Sequence, residues 1–208
     1  MNNQQAYDEW AASYNDIVNL TRDTELIAKQ AFLKNIPFTH LLELGCGTGK
    51  NTEWLSLTAN KITAVDFSEQ MLAVAKSREY HNDVNFVVAD INEPWQFVHQ
   101  PFDLITCSLV LEHIQFILPV FKKAAKALQP GGFFYIGELH PFKQYSGSKA
   151  RFQKDDETII LDCFLHPISA YITNALDNHF SLIQIKEWTD EDTDQKIPRI
   201  LSLLFQKK

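Results

Sequence analysis

The chain has 208 residues, 45% of them hydrophobic, and a formal net charge of −7. This length and composition are enough to bury one sizeable core, so we predict a single domain over residues 1–208. The acidic balance repels polyanions and disfavours a nucleic-acid partner. No apolar run approaches the length of a membrane span, and the first residues lack the basic-then-apolar pattern of a signal peptide. We therefore expect neither a nucleic-acid nor a membrane partner.

The cysteine pattern concerns the compartment in which the chain works. Cys46, Cys107 and Cys163 are far apart in sequence and form no C-x-x-C pair. Such spacing indicates neither a zinc site nor a disulfide framework. We therefore expect a reducing, cytoplasmic location.

Two helical segments come before the first strand in the sequence. Residues 4–14 and 22–36 have helical patterns, and Pro37 is expected to end the second helix, because the residue before a proline avoids helical geometry. Together they predict an N-terminal helical cap over residues 1–36.

Apolar, β-rich runs then alternate with helical stretches. This alternation is typical of a doubly wound parallel sheet with helices on both faces. The clearest helix carries apolar residues from Ile114 to Leu128 that are spaced for one buried face. Pro119 indicates that it begins only a few residues before that proline, since proline is tolerated in a first turn but not in a helix interior. The predicted strands are 40–45, 61–67, 84–90, 102–110 and 132–139.

The C-terminal third predicts the remaining elements of the sheet. A helix is expected at 167–179, followed by strands at 182–189 and 198–206. Residues 140–166 form a longer insertion that we expect near the substrate side, with a strand at 157–165. The prediction is an α/β fold with a sheet of about seven strands.

Three alternating glycines directly follow the first strand. Gly45, Gly47 and Gly49 lack Cβ atoms, so the backbone can adopt left-handed conformations and lie against a bound molecule. A dinucleotide-binding turn would read G-x-G-x-x-G, but its third glycine position is Lys50. The pattern is instead E-x-G-x-G-x-G, with Glu43 as its first residue.

This turn resembles motif I of the class I S-adenosylmethionine-dependent methyltransferases. Asp66 ends the second strand and Asp90 follows the third, as acidic residues do in that family. Strand four resembles the family motif beside the methionine end of the cofactor, and Pro130-Gly131-Gly132 leads into strand five in a similar way. The matches extend over roughly residues 41–139. The resemblance implies a Rossmann-like sheet that is mostly parallel, with an antiparallel last strand.

The resemblance also implies a set of residues that bind S-adenosyl-L-methionine, or its product S-adenosyl-L-homocysteine. Asp66 would accept hydrogen bonds from the ribose hydroxyls, and Asp90 with Ile91 would hold the adenine. Ser108 would contribute its main-chain carbonyl. The full set is Glu43, Gly45, Cys46, Gly47, Asp66, Phe67, Met71, Asp90, Ile91, Ser108 and Tyr14.

Structural alternatives stand beside these roles. Asp66 could belong to the N-cap of the next helix, and Asp90 could be a solvated strand end. Glu43 could orient the glycine turn or have a purely structural contact. Met71 could be plain core, and Tyr14 could belong to an aromatic stripe, with Tyr7 and Trp10, that packs the cap on the sheet.

Three histidines are candidates for a general base. Histidine is the side chain whose ordinary pKa suits proton removal near neutral pH. His140 follows strand five at the sheet edge where substrates of this fold lie. His113 and His166 each precede a predicted helix, and all three could instead have capping or packing roles.

We therefore expect an enzyme that transfers a methyl group from S-adenosylmethionine to an oxygen or nitrogen of a small organic molecule, without a metal. A protein or RNA methyltransferase, a catalytically silent cofactor-binding module and an NAD-dependent oxidoreductase are the alternatives. The sequence contains no N-P-P-Y motif of the kind seen in amino-methylating DNA enzymes.

Overall fold

A central sheet organises the computed structural model, which describes residues 1–154, 156–190 and 197–208. Within these residues the sheet has seven strands, and a separate hairpin has two. The strands are β1 (His40–Leu44), β2 (Lys61–Asp66), β3 (Asp83–Val88), β4 (Phe102–Ser108), β5 (Leu128–Leu139), β6 (Arg151–Lys154), β7 (Glu157–Ile160), β8 (Phe180–Thr189) and β9 (Pro198–Lys207).

The sheet order is β3-β2-β1-β4-β5-β9-β8. Neighbouring strands from β3 to β5 pair in parallel, whereas β9 is antiparallel to both β5 and β8. The doubly wound sheet with an antiparallel last strand is therefore confirmed. The strand order reverses beside β1, which places the carboxyl ends of β1, β2 and β4 at the switch point where such sheets bind ligands.

Helices cover the sheet and precede it. They are α1 (Asn3–Trp10), α2 (Leu20–Leu33), α3 (Lys50–Leu55), α4 (Glu69–Lys76), α5 (Leu118–Ala127), α6 (Pro141–Tyr145) and α7 (Ile168–Asp177). Helix α2 begins two residues earlier than predicted, because the Asn19 side chain accepts hydrogen bonds from the first free N–H groups. Helix α5 begins at Leu118 with Pro119 in its first turn, as predicted. In the described part of the chain, no helix is long and apolar enough to cross a membrane.

Both faces of the sheet are buried. Leu42 and Ile105 contribute to one hydrophobic cluster, with Phe121 of α5, whereas Leu41 and Leu104 contribute to another, with Phe32 of α2. Successive residues of a strand point to opposite faces, so a strand buried on both sides is continuously apolar. This explains why these runs could be recognised in the sequence.

The insertion at 140–166 differs from the prediction. Helix α6 is followed by the β6–β7 hairpin, and the strand expected at 157–165 ends at Ile160. The last residue pair of the hairpin is Arg151 with Ile160, and one further main-chain hydrogen bond follows it, from the Leu161 N–H to the Ala150 carbonyl (3.0 Å). The prediction was therefore too long, and strand β6 was missed.

Helix α1 is held on two sides. The Trp10 ring stacks on Phe152 of β6 with 5.0 Å between ring centroids. On the other side, Ser68 Oγ at the start of α4 donates a hydrogen bond of 2.6 Å to Asp8 Oδ1. Glu9 also forms an ion pair of 2.6 Å with Lys154. These contacts place α1 across the carboxyl edge of the sheet.

Candidate cofactor site

A cavity of about 570 Å³ lies at the switch point of the sheet. Small-molecule sites commonly have volumes of about 300–1,000 Å³. The cavity walls come from the turn after β1, the ends of β2 and β4, the loop after β3, helix α1 and the segment leading into α2. The cavity therefore has the position and size of a site for a nucleotide-like ligand.

The glycine turn forms one wall through its main chain. Gly45 has φ +69°, and a Cβ atom there would lie 2.2 Å from Val110 Cγ2. Gly47 has φ +53°, with open space where a Cβ atom would point. Side chains are therefore excluded at Gly45 by packing, whereas at Gly47 the space beside the backbone is free for a ligand.

Asp66 lies in the cavity wall beside this turn. Its carboxylate accepts hydrogen bonds from the main-chain N–H of Gly47 (2.8 Å) and of Ser68 (2.9 Å). Burial raises its pKa to about 6, against these hydrogen bonds, which lower it. Asp66 thus makes the contact with the start of the next helix that the sequence analysis considered. It also lines the cavity.

The cavity lining contains every predicted cofactor-binding residue except Glu43. Glu43 shares the face of β1 that packs against the layer of α2 and α3, and its carboxylate accepts a hydrogen bond of 2.6 Å from Thr52 of α3. Burial raises the Glu43 pKa. Its contact is with the helix that follows the glycine turn, which matches the orienting alternative.

The remaining predicted residues occupy the ends of the cavity. Asp90 lies two residues beyond β3, and its Oδ1 accepts a hydrogen bond of 2.8 Å from the Asn92 N–H. Ser108 lines the cavity, and its hydroxyl oxygen is buried without a hydrogen-bond partner. Met71 lines the cavity but is 1% exposed and packs in a cluster with Trp10. Met71 therefore lies both in the hydrophobic core and in the wall of the cavity.

The three candidate histidines lie in different environments in the structure. His113 lines the cavity, whereas His140 and His166 are not among the described lining residues. His140 accepts a hydrogen bond from the Phe142 N–H at the start of α6 and contacts Glu187. His166 donates to the Ile114 carbonyl, with a distance of 2.8 Å. His140 and His166 therefore have the capping and packing contacts that the sequence left open.

Three charged residues of α2 in the lining, Arg22, Asp23 and Glu25, were not predicted. The Arg22 guanidinium lies 4.2 Å from the centre of the Tyr14 ring. Glu25 is 1% exposed, and its Oε1 accepts a hydrogen bond of 3.3 Å from the Tyr135 hydroxyl. Residues three apart share one helix face. That spacing was the available signal, but it did not show that this face of α2 meets the glycine turn.

A buried carboxyl group supports the wall after β4. Glu138 Oε1 accepts hydrogen bonds from the N–H groups of Val110 (3.0 Å) and Leu111 (2.9 Å), next to His113. Burial, together with the neighbouring Glu112, raises the Glu138 pKa to about 8. The Glu138 pKa is above its ordinary value of 4.5. The stability that Glu138 contributes is therefore complete when the pH is below 4.5, and it is lost as the pH rises through about 8.

We therefore expect Glu138→Gln to flatten the fall in stability between mildly acidic and alkaline pH. Glutamine keeps an acceptor oxygen but does not titrate. Urea unfolding of the wild type and the variant across this range measures the effect, with the exposed Glu157→Gln as control. An equally steep pH dependence in Glu138→Gln and the wild type would contradict this assignment.

Side chains that could bind a metal ion do not cluster in the part of the chain that the structure describes. No group of three or more His, Cys, Asp or Glu side chains there is arranged to hold a metal ion. The three cysteines are free, with Cys46 and Cys107 buried.

The fold is that of the class I S-adenosylmethionine-dependent methyltransferases. Three features define this class: the sheet order, the antiparallel β9 and the glycine turn beneath a cavity at the carboxyl edge of the sheet. Residues 42–136 match the family model described as a methyltransferase domain.

Known proteins agree with this assignment. The ubiquinone biosynthesis O-methyltransferase of Coxiella burnetii is 34% identical over 109 residues, which are 51% of this chain and 46% of that protein. The chain thus spans about half the length of the curated relatives it matches.

Two solved structures share the fold over nearly their whole lengths. A structure described as a putative S-adenosylmethionine-dependent methyltransferase from Listeria monocytogenes has a TM-score of 0.74 at 19% identity, covering 90% of this chain and 99% of that one. The N-methyltransferase NodS of Bradyrhizobium japonicum, in complex with S-adenosylhomocysteine, has a TM-score of 0.72 at 17% identity, covering 100% and 99%.

Proposed function

We propose that the chain transfers a methyl group from S-adenosylmethionine to an oxygen or nitrogen atom of a small organic molecule. The observation that carries the proposal is the cavity in which Asp66, Asp90 and the open face of Gly47 converge. The family match over residues 42–136 supports the same chemistry. The curated relatives named O-methyltransferases support a small-molecule acceptor.

The proposed donor site has three parts. Asp66 accepts hydrogen bonds from ribose hydroxyls, and the loop of Asp90 and Ile91 holds the adenine. Gly45, Cys46 and Gly47 bring main-chain atoms close to the ligand. At the end of the cavity, Arg22 and Glu25 offer opposite charges that suit the carboxylate and ammonium groups of the methionine portion. Ser108 contributes main-chain and hydroxyl oxygen atoms beside them.

The bound donor supplies an electrophilic methyl group on a sulfonium. The protein's own contribution is to hold the acceptor atom in line with this group and to exclude water. Helix α1 provides the cover, because its residue Tyr7 lines the cavity. We further propose that residues 1–208 act as one domain, in the cytoplasm and without a metal.

Donor binding is tested by titrating the full chain with S-adenosylhomocysteine in a calorimeter, with NADH as the comparison. We expect heat of binding with S-adenosylhomocysteine and none with NADH. The acceptor is then sought by incubating the protein with metabolite extract and radiolabelled S-adenosylmethionine in the presence and absence of a chelator. Absence of binding would refute the proposal, and activity lost with chelator would refute metal independence.

A further inference from the structure

Three segments that are distant in sequence meet at His113. The Tyr7 hydroxyl lies 2.9 Å from His113 Nε2. The main-chain carbonyl oxygen of Asp162, in the insertion, lies 2.9 Å from His113 Nδ1. Asn3 also binds Asp162, since its side-chain amide donates to the carbonyl oxygen and accepts from the N–H, both at 2.9 Å. The imidazole is therefore held at both ring nitrogens.

Two groups approach His113 Nδ1: the Asp162 carbonyl oxygen at 2.9 Å and the Asn3 side-chain amide nitrogen at 3.2 Å. The carbonyl oxygen can only accept and the amide nitrogen can only donate, so a neutral imidazole forms one of these two hydrogen bonds. The relay uses the shorter contact, in which His113 Nδ1 carries a proton and donates it to Asp162. His113 Nε2 then has a free lone pair, because a neutral imidazole carries one N–H. The Tyr7 hydroxyl consequently donates to Nε2. This arrangement leaves the lone pairs of the Tyr7 oxygen free to accept a hydrogen bond from another group.

Tyr7 faces the space where that group would be. Its ring lies between Phe67, after β2, and His113, after β4, with ring-centroid distances of 5.8 Å and 5.5 Å. Since β1 lies between β2 and β4, Tyr7 lies across the cavity from the glycine turn. Tyr7, Phe67 and His113 all line the cavity.

We propose that Tyr7, His113 and the Asp162 carbonyl form a proton relay that deprotonates a hydroxyl group of the methyl acceptor. The inference rests on the proposed function and narrows it to oxygen methylation. The acceptor oxygen forms a bond to the methyl carbon as the methyl–sulfur bond breaks, which leaves neutral S-adenosylhomocysteine. The acceptor proton passes to the Tyr7 oxygen while the Tyr7 proton passes to His113 Nε2.

His113 completes the proton transfer. The imidazolium formed donates through Nδ1 to the Asp162 carbonyl and later releases one proton to water. Burial raises the Tyr7 pKa well above its ordinary value, and the neighbouring Tyr14 raises it further. A free tyrosinate is therefore disfavoured, so the two proton transfers occur together. Glu112 is the buried carboxyl group next to His113, and burial raises the Glu112 pKa.

The first test is the proton position on His113. In protein carrying ¹⁵N-labelled histidine, titrated with S-adenosylhomocysteine, nuclear magnetic resonance distinguishes the two tautomers. We expect His113 to be protonated at Nδ1 in the wild type, and Tyr7→Phe to shift the Nε2 resonance by removing its hydrogen bond. A proton on Nε2, or an Nε2 resonance unchanged in Tyr7→Phe, overturns the relay whether or not an acceptor turns over.

The second test compares two probe acceptors. Phenol is about as weakly acidic as a tyrosine side chain and needs a base, whereas 4-nitrophenol is largely ionised in mildly alkaline buffer. We expect Tyr7→Phe and His113→Gln to lower the single-turnover rate with phenol by about 100-fold, but with 4-nitrophenol by less than about threefold. Equal losses with both phenols, or no loss with phenol, overturn the relay.

Controls separate this proposal from the proposed function. Tyr145→Phe removes a hydroxyl from a side chain that is 67% exposed and is not among the described cavity-lining residues, so it should leave both rates unchanged. S-adenosylhomocysteine affinity is measured in every variant. Wild type that binds no S-adenosylhomocysteine contradicts the proposed function itself. Normal binding in all variants, together with an Nε2-protonated His113, contradicts the relay alone.

Discussion

Gly45→Ala is expected to abolish detectable S-adenosylhomocysteine binding and to lower the free energy of unfolding by at least about 2 kcal/mol. The backbone at Gly45 has φ +69°, and the new methyl group would lie 2.2 Å from Val110 Cγ2. The left-handed conformation alone costs a residue with a side chain about 1–2 kcal/mol. Relief of the clash must displace Val110 or the turn itself. Urea unfolding and calorimetric titration measure the two effects.

Gly47→Ala is the matched comparison. Its φ is also positive, at +53°, but nothing lies within 4 Å of the new methyl group. We therefore expect a smaller loss of stability, about 1–2 kcal/mol, with a large loss of binding because the methyl group occupies space beside the ligand. Equal loss of stability in both variants would show that packing against Val110 is unimportant, and unchanged binding in both would remove the glycine turn from the site.

Asp66→Asn is expected to weaken S-adenosylhomocysteine binding by about 10- to 100-fold, the scale of a hydrogen bond to a charged group. The amide can accept at one oxygen only, and its NH₂ group would oppose the N–H of Gly47 or Ser68, both of which now donate to the carboxylate. Asp83→Asn, at the opposite end of β3 where the side chain is exposed, is the control. Unchanged affinity in Asp66→Asn would remove this residue from the donor site.

The raised pKa of Asp66 gives opposite pH trends for binding and stability. Ribose hydroxyls donate to a carboxylate, so wild-type affinity should fall as pH drops below about 6, the Asp66 pKa, and this dependence should vanish in Asp66→Asn. In the unliganded protein the pKa is above its ordinary 3.8, so the stability contributed by Asp66 is complete below 3.8 and is lost as pH rises through about 6. Parallel pH trends in affinity and stability would contradict this account.

The sheet and the residues that line the cavity could be predicted because their signals are local. Gly45, Gly47 and Asp66 lie within one strand–turn–helix–strand stretch, and the need for positive φ leaves a mark in the sequence at each glycine. Apolar runs such as Leu41–Leu44 were recognisable because both faces of the strand are buried. Proline at position 119 similarly indicated where α5 begins.

The substrate side could not be predicted in the same way, because its residues meet only through tertiary packing. Sequence alone treated His113, His140 and His166 alike, yet His140 lies against Glu187 and His166 against the Ile114 carbonyl. The partner of His113 is Tyr7, which is more than a hundred residues away in sequence. The β6 strand was missed because it has only four residues, of which Phe152 alone is buried, so it shows no alternating pattern.

The attachment of α1 on both sides has a kinetic consequence. Gln4 donates to the Phe67 carbonyl at 2.9 Å, Asp8 binds Ser68, and Asn3 binds Asp162 on the far side. We expect some of these hydrogen bonds to open before the spent donor leaves the cavity beside this helix. We therefore expect product release to limit the rate of repeated turnover, so that a fast first turnover is followed by a slower steady state.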